Sequence, residues 1–304
     1  MREAPYLVKM SFHAMGSPCH IQFYVFKSVQ EKHAKSVIKQ CLSGLEQRYS
    51  RYRKDSLISL INQRAGSGKE TAIDAEMLGL LNYAEQCYQE SDGLFDITSG
   101  SLRNLWGVDK QSLPSEQQLA NARALIGWQK IERTTSHVYL PIKGMQLDFG
   151  GIVKEYAADS IAQLLKNRGI ESGIIELGGD IKIIGSQPNG NAWPIAIRNP
   201  SNQNNLQLSL HSGSLASSGD YERFQMIDGV RYSHILNPKT GKPTQGLQAV
   251  SIISEHCVVS GSLATLAMLK GKQGLAWLKE NKLDFFCCEE DGTTHQHLST
   301  YTLN

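Results

Sequence analysis

Two hydrophobic periods alternate along the chain, and the switches between them mark out its elements. Residues 18–27, PCHIQFYVFK, are dense in β-branched and aromatic types and predict a first strand. Over 29–45 the apolar positions Val29, Val37, Ile38, Cys41, Leu42 and Leu45 recur at helical spacing. A short helical pattern resumes after Asp55 or Ser56, either of which suits a cap. A longer one covers 72–90, with Asp74 as candidate cap and a stripe through Leu78, Leu81, Ala84 and Tyr88. Residues 91–107 read as a loop, 119–125 as a short helix, and HVYLPIKGMQLDFGG (137–151) as a hairpin turning at Lys143-Gly144. A helix is expected over 152–168, closed by Gly169. ESGIIELGGDIKIIGSQ (171–187) is β-rich and broken at Gly178-Gly179. WPIAIRNP, LQLSLHSGSLASSG, RYSHILNP and QAVSIIS are further strand-like segments, and helices over 261–269 and 273–281 end the pattern. Strands and helices interleave without strict βα alternation, so α+β is expected rather than a doubly wound sheet.

Composition narrows the class. With 304 residues, 40% hydrophobic and 20% charged, the chain can bury a substantial core. A formal charge of +2 offers no bulk basic field for nucleic acid. None of the six cysteines forms a C-x-x-C pair, and the neighbours Cys287 and Cys288 point to opposite faces of an extended chain. Free thiols in a reducing compartment follow. The opening MREAPYLVKMSFHAMGS has no apolar stretch of signal-peptide length, and no run reaches transmembrane length, so a cytoplasmic protein is expected.

Candidate chemistry lies in the glycine-rich segments. DFGGIVKEYAAD (148–159), ELGGDIKIIG (176–185) and ASSGDYER (216–223) each join glycines to an acidic or hydroxyl residue, and none fits a P-loop or a dinucleotide fingerprint. A strand, Gly150-Gly151 and a helix carrying Lys154 would supply amides, a helix dipole and a cation, a set suited to phosphate; a plain tight turn explains the same glycines. Tyr52, Phe95, Trp106 and Tyr221 lie in or beside loops, placed either to stack on a flat ligand or to plug the core. His234, in RYSHILNPKTGKP, sits where a short strand runs into a turn, a position that serves a ligand or merely a turn hydrogen bond.

Taken in series, AMGS (14–17), YSRYRKDSLISLIN (49–62), GLFDITSGSLRNLWG (93–107), LDFGGIVKEYAAD (147–159), IIELGGDIKIIG (174–185), SSGDY (217–221), YSHILNPKTGKP (232–243) and GSLATLAMLKG (261–271) resemble the FAD:protein FMN transferase family, the ApbE-type flavin transferases. The resemblance implies mixed, largely antiparallel sheets with packed helices. It implies one domain over 1–304, or two lobes around an FAD cleft. It implies that FAD is the substrate, that magnesium assists cleavage of its pyrophosphate, and that FMN passes to a threonine or serine of an acceptor flavoprotein while AMP leaves. By position, Met15, Tyr52, Leu94, Phe95 and Asp96 would line the flavin or adenine pocket, with Ser218 and Ile235 also on the FAD site. Asp148 and Lys154 would face ribose and phosphates, the Gly151 carbonyl and Thr265 hydroxyl would hold the metal, and His234 would be the catalytic base.

Two positions depart from the pattern. The family writes an aspartate where this chain has Gly261, which removes an anionic metal ligand and is expected to weaken magnesium binding. The implied alternative is an impaired FAD-binding protein, a flavin carrier or sensor. Ser260 and Ser262 offer hydroxyls but no charge, and Asp220 and Glu155 are candidate replacements. Glu155 stands where many members have glycine, and its residue type favours a solvated helix face. Aspartate restored at 261 is expected to tighten the metal.

Overall fold

The computed structural model describes residues 4–106, 112–201, 205–220 and 224–299. Strands β1 (Tyr6–Ala14) and β2 (Ser17–Val25) pair across a tight turn in which Met15 and Gly16 both take positive φ. β2 is the predicted first strand. β1 has no clear apolar alternation, because it is a sheet edge with most of its residues partly exposed. Helix α1 (Ser28–Tyr49) buries Ala34, Ile38, Leu42, Leu45 and Tyr49, spaced three or four apart. Ser56, not Asp55, caps α2 (Leu57–Gln63), accepting from the Ser59 amide at 3.0 Å. β3 (Thr71–Ala72) precedes α3 (Ala75–Glu90), which Asp74 caps through the Met77 amide.

A Ser115–Gln118 capping box opens α4 (Glu116–Ala124), and β4 (Glu132–Arg133) and β5 (His137–Tyr139) complete a small sheet with β3. The hairpin expected over 137–151 does not form, since β5 pairs with β3 and β4 instead. The second half of that segment finds other partners. Asn62 accepts from the Leu147 amide (2.8 Å) and donates to its carbonyl (3.1 Å), so a side-chain amide replaces a neighbouring strand.

Helix α5 (Val153–Lys166) leads to the hairpin of β6 (Gly173–Leu177) and β7 (Asp180–Gly185), whose two-residue turn holds Gly178 and Gly179 at φ 58° and 89°. β8 (Trp193–Ile197) and β9 (Leu206–Leu210) form a separate hairpin, followed by β10 (Ser214–Gly219) and the hairpin of β11 (Phe224–Ile227) and β12 (Val230–Ser233). β13 (Leu247–Ser254), α6 (Cys257–Leu269), α7 (Gly274–Glu280), β14 (Asp284–Glu289) and β15 (Thr294–His297) complete the chain.

Eight strands make one antiparallel sheet in the order β1-β2-β6-β7-β10-β13-β14-β15, the α+β architecture expected. Side-chain alternation divides its faces. Ile252 and Phe285 join the core beneath the helices, while their neighbours Ile253 and Phe286 pack with Trp193, Ile195 and Leu208 of the β8–β9 hairpin. Cys287 and Cys288 follow the same rule, and all six cysteines are free. Among the described residues no helix is long and apolar enough to cross a membrane.

The buried pair α5 and α6 is held by one carboxylate. The N-cap residue of α6, His256, makes no side-chain cap. Asp159 of α5 reaches across and accepts from the amides of Cys257 (3.0 Å) and Val258 (2.9 Å), while Lys182 of β7 stands 3.7 Å away. Asp159→Ala removes two charge-assisted bonds and leaves Lys182 without that counter-charge. The expected cost is about 2 kcal/mol in urea unfolding, the upper end for a helix cap. A change within experimental error would show that packing alone positions α6.

Candidate functional site

A cavity of about 570 Å³ opens where β6 and β10 end and β7 begins, beside the first turn of α5. That is an ordinary size for a small-molecule site. Its walls are the turn at Gly16–Pro18, the loop from Leu94 to Arg103, the α5 start, the Gly178-Gly179 turn, Ser217–Gly219, His234–Leu236 and the Thr265 side of α6. Ala196, Ile197 and Arg198 close it from the β8 end.

One wall is a buried charge cluster. Lys154 donates to Asp180 and to the Leu177 carbonyl (3.3 Å), and Asp180 also accepts from the Ser217 amide (3.1 Å). Burial works against the Lys154 ammonium, but Asp180 and Glu155 outweigh it and raise its pKa above the ordinary lysine value. Glu155, expected on a solvated face, is 7% exposed and lines the cavity. Its Oε1 is 3.7 Å from Lys154 Nζ, and its Oε2 is buried with no hydrogen-bond partner. Burial is the main reason its carboxyl is pushed up to about 8; Lys154 pulls it down and Asp180 adds to the rise. The hydroxyls of Ser218 and Thr265, also on the lining, share a hydrogen bond of 2.8 Å.

Asp148 anchors a second set. Its Oδ2 accepts from Arg51 (2.9 Å) and Arg103 (2.7 Å), and its Oδ1 from the Gly150 amide (2.9 Å), which shapes the glycine turn before α5. Burial alone would raise its pKa, yet Arg103, Arg51 and the Gly150 amide hold it below the usual carboxylate range. Asp96 also has both oxygens engaged: Oδ1 accepts from the amide and hydroxyl of Thr98, Oδ2 from the Trp128 amide (3.0 Å). It shapes the loop that presents Leu94 and Phe95 to the cavity.

His234 lies one residue beyond β12, where Ser233 turns the chain by accepting from the Ile235 amide (3.0 Å). The loop after it is pinned by Trp106, whose indole N–H donates to the Gly241 carbonyl (2.8 Å) and whose ring meets Tyr232 at 5.6 Å. Trp106 is thus a structural plug. Tyr221 lies outside the described residues.

Of the candidate residues, the cavity gathers His234, Leu94, Phe95, Asp96, Asp148, Lys154, Ser218, Ile235, Gly151 and Thr265. Met15, Tyr52 and Gly261 are not on its lining. Met15, in the β1–β2 turn, donates its backbone N–H to the Glu46 carboxylate of α1 (2.6 Å), and Tyr52 follows α1 into a turn that leaves it 85% exposed. Asp220 is paired with Arg231, away from the cavity wall, and the Ser260 hydroxyl is used by Ser214 and Ser254. Arg51, Arg103 and Asp180 escaped the sequence reading although each stands inside a quoted motif; nothing in their spacing distinguishes them from surface charges.

Gly261 fails to reach the cavity because its place is taken. A Cβ there would lie 2.5 Å from Glu155 Cγ and 3.0 Å from its Cδ. Aspartate at 261 therefore has to displace the Glu155 side chain, which counts against this substitution by itself tightening a metal site.

The chain matches the ApbE family over residues 15–287. It is 30% identical over 286 residues to the FAD:protein FMN transferase of Vibrio cholerae, across 91% of this chain and 85% of that one. The FAD:protein FMN transferase of Treponema pallidum is also 30% identical, over 88% and 80% of the two chains. Among solved structures, the flavin transferase ApbE from Vibrio cholerae superposes with a TM-score of 0.86 at 28% identity, covering 97% of this chain and 98% of that one. The ApbE protein from Thermotoga maritima gives a TM-score of 0.86 at 27% identity, covering 96% and 97%.

The contact between positions 261 and 155 is measurable. Glycine to alanine inside a helix ordinarily stabilises by about 1 kcal/mol. Gly261→Ala is expected to show no such gain, whereas in a Glu155→Ala background the gain should appear, a coupling of about 1 kcal/mol or more in chemical denaturation. Additive effects would mean that the two positions do not touch.

Proposed function

The chain belongs to the ApbE family, and we propose from this how its cavity handles FAD. It transfers the FMN half of FAD to a protein acceptor. The observation that carries the detailed reading is that His234, at the end of β12, and Lys154, in the first turn of α5, line one cavity. A threonine or serine hydroxyl of the acceptor attacks the phosphorus on the FMN side of the pyrophosphate. His234 takes the hydroxyl proton, the bond from that phosphorus to the bridging oxygen breaks, and AMP departs with the oxygen. Lys154 and the Gly150-Gly151 turn at the α5 N-terminus face the phosphates, where positive charge and a helix dipole favour them. Leu94, Phe95 and Ile235 give a flat ring system an apolar wall.

Magnesium fits the oxygen donors present. The Thr265 hydroxyl, the Gly151 carbonyl and a carboxylate are hard ligands, and magnesium commonly takes one or two carboxylates and completes its shell with phosphate and water. When bound, it neutralises charge on the non-bridging phosphate oxygens. The acceptor is a flavoprotein, and six free cysteines support a reducing, cytoplasmic setting for the reaction.

His234→Ala is expected to bind FAD normally in a fluorescence titration, while FMN transfer read by intact-mass spectrometry falls about 10²- to 10⁴-fold. Transfer at the wild-type rate would remove His234 from the reaction. Lys154→Ala should weaken FAD about tenfold or more and leave riboflavin little changed, since only FAD carries the pyrophosphate. Equal losses would place Lys154 away from the phosphates.

A further inference from the structure

Around Lys154 the structure gathers two carboxyl groups on one buried ammonium. Asp180 is satisfied by the Lys154 ammonium and the Ser217 amide. Glu155 adds a second carboxylate to the same single ammonium. Among the described residues, its Oε2 is the one buried carboxylate oxygen that no donor reaches, its polar neighbour being the carboxyl of Asp180. Such an oxygen costs free energy unless something occupies it, and native structures rarely leave one. The residue lines the cavity, so the missing partner can come from there.

The identity of that partner follows from what stands opposite. The face of α6 that meets Glu155 is the Gly261 face, where a Cβ would fall 3.3 Å from Oε1 as well as 2.5 Å from Cγ. Thr265 lies four residues further along α6 on the same face, about 5–6 Å away between Cβ positions, and its hydroxyl reaches the cavity beside Ser218. A carboxylate from α5 and a hydroxyl from α6 thus share one wall. We propose that Glu155 is the carboxylate ligand of a small, hard divalent cation at the pyrophosphate, contributed from α5 into space that Gly261 leaves open on α6.

This rests on the reading of the cavity as the FAD site. It also joins the two departures from the family pattern into one exchange. Glycine at 261 makes room and glutamate at 155 fills it, so the chain keeps its carboxylate but carries it on the facing helix. Octahedral magnesium accepts a carboxylate from either side, provided that phosphate and water complete the shell.

The test titrates Mn²⁺ into the protein–FAD complex and reads the free ion by electron paramagnetic resonance, with metal-free FAD binding measured by fluorescence in each variant. The isosteric Glu155→Gln should retain FAD and lose Mn²⁺ affinity about tenfold or more, since even indirect supports of a metal ligand are worth that much. Gly261→Asp alone should give no gain. The exchange Glu155→Gly with Gly261→Asp should recover wild-type Mn²⁺ affinity. Unchanged Mn²⁺ affinity in Glu155→Gln, or no Mn²⁺ bound by the wild-type complex, overturns the assignment while FAD binding leaves the cavity reading intact. Failure of the wild type to bind FAD overturns that reading instead.

Discussion

The carboxylate of Asp159 holds α6 against α5, and the chemistry of the cavity is arranged on that clamp. Within two turns α5 carries Lys154, Glu155 and Asp159, while α6 begins at the amides that Asp159 caps and continues to Gly261 and Thr265. Gly261, buried on α6, leaves the space that the Glu155 side chain of α5 fills. The sheet adds Asp180, Ser217 and Ser218 from the ends of β7 and β10. Polar groups from two helices and two strands converge beside the junction that the Asp159 cap joins.

That convergence has an energetic consequence. A buried lysine with two carboxylates is a poor way to stabilise a fold, since desolvation rivals the attraction between the charges. Here the cluster lies against a cavity, and its unpartnered oxygen belongs to the residue that occupies the Gly261 gap. The Asp148 cluster is different in kind. Two arginines and the Gly150 amide satisfy its carboxylate fully, which gives the glycine turn a rigid base. One cluster shapes the turn and the other retains capacity for a ligand.

Much of this was legible in the chain. Helix periodicity located α1, α3, α5 and α6, and the double glycines marked the turns that border the cavity. Sequence spacing could not reveal β14, because DFFCCE is a continuous apolar run with residues on both faces of the sheet. Nor could it anticipate Asn62 standing in for a strand beside Leu147, a long-range replacement with no local signature. At the site, the family resemblance named His234, Lys154 and Thr265, which line one cavity, and Tyr52, which stands exposed off its lining, while residue type alone pointed Glu155 to solvent. The Glu155 expectation rested on the usual environment of its side chain. An aromatic can be stranded on a surface turn, and a glutamate can be buried when a glycine on the facing helix leaves it room.

The central claim is that this cavity splits FAD between its phosphates and passes FMN to a protein hydroxyl. The most direct measurement incubates the protein with FAD, magnesium and an acceptor flavoprotein domain, following acceptor mass and nucleotide products together. The account requires one FMN joined to the acceptor for each AMP released, with loss of the adduct when the acceptor hydroxyl is removed. FAD bound intact, with no AMP and no change in acceptor mass, would contradict it.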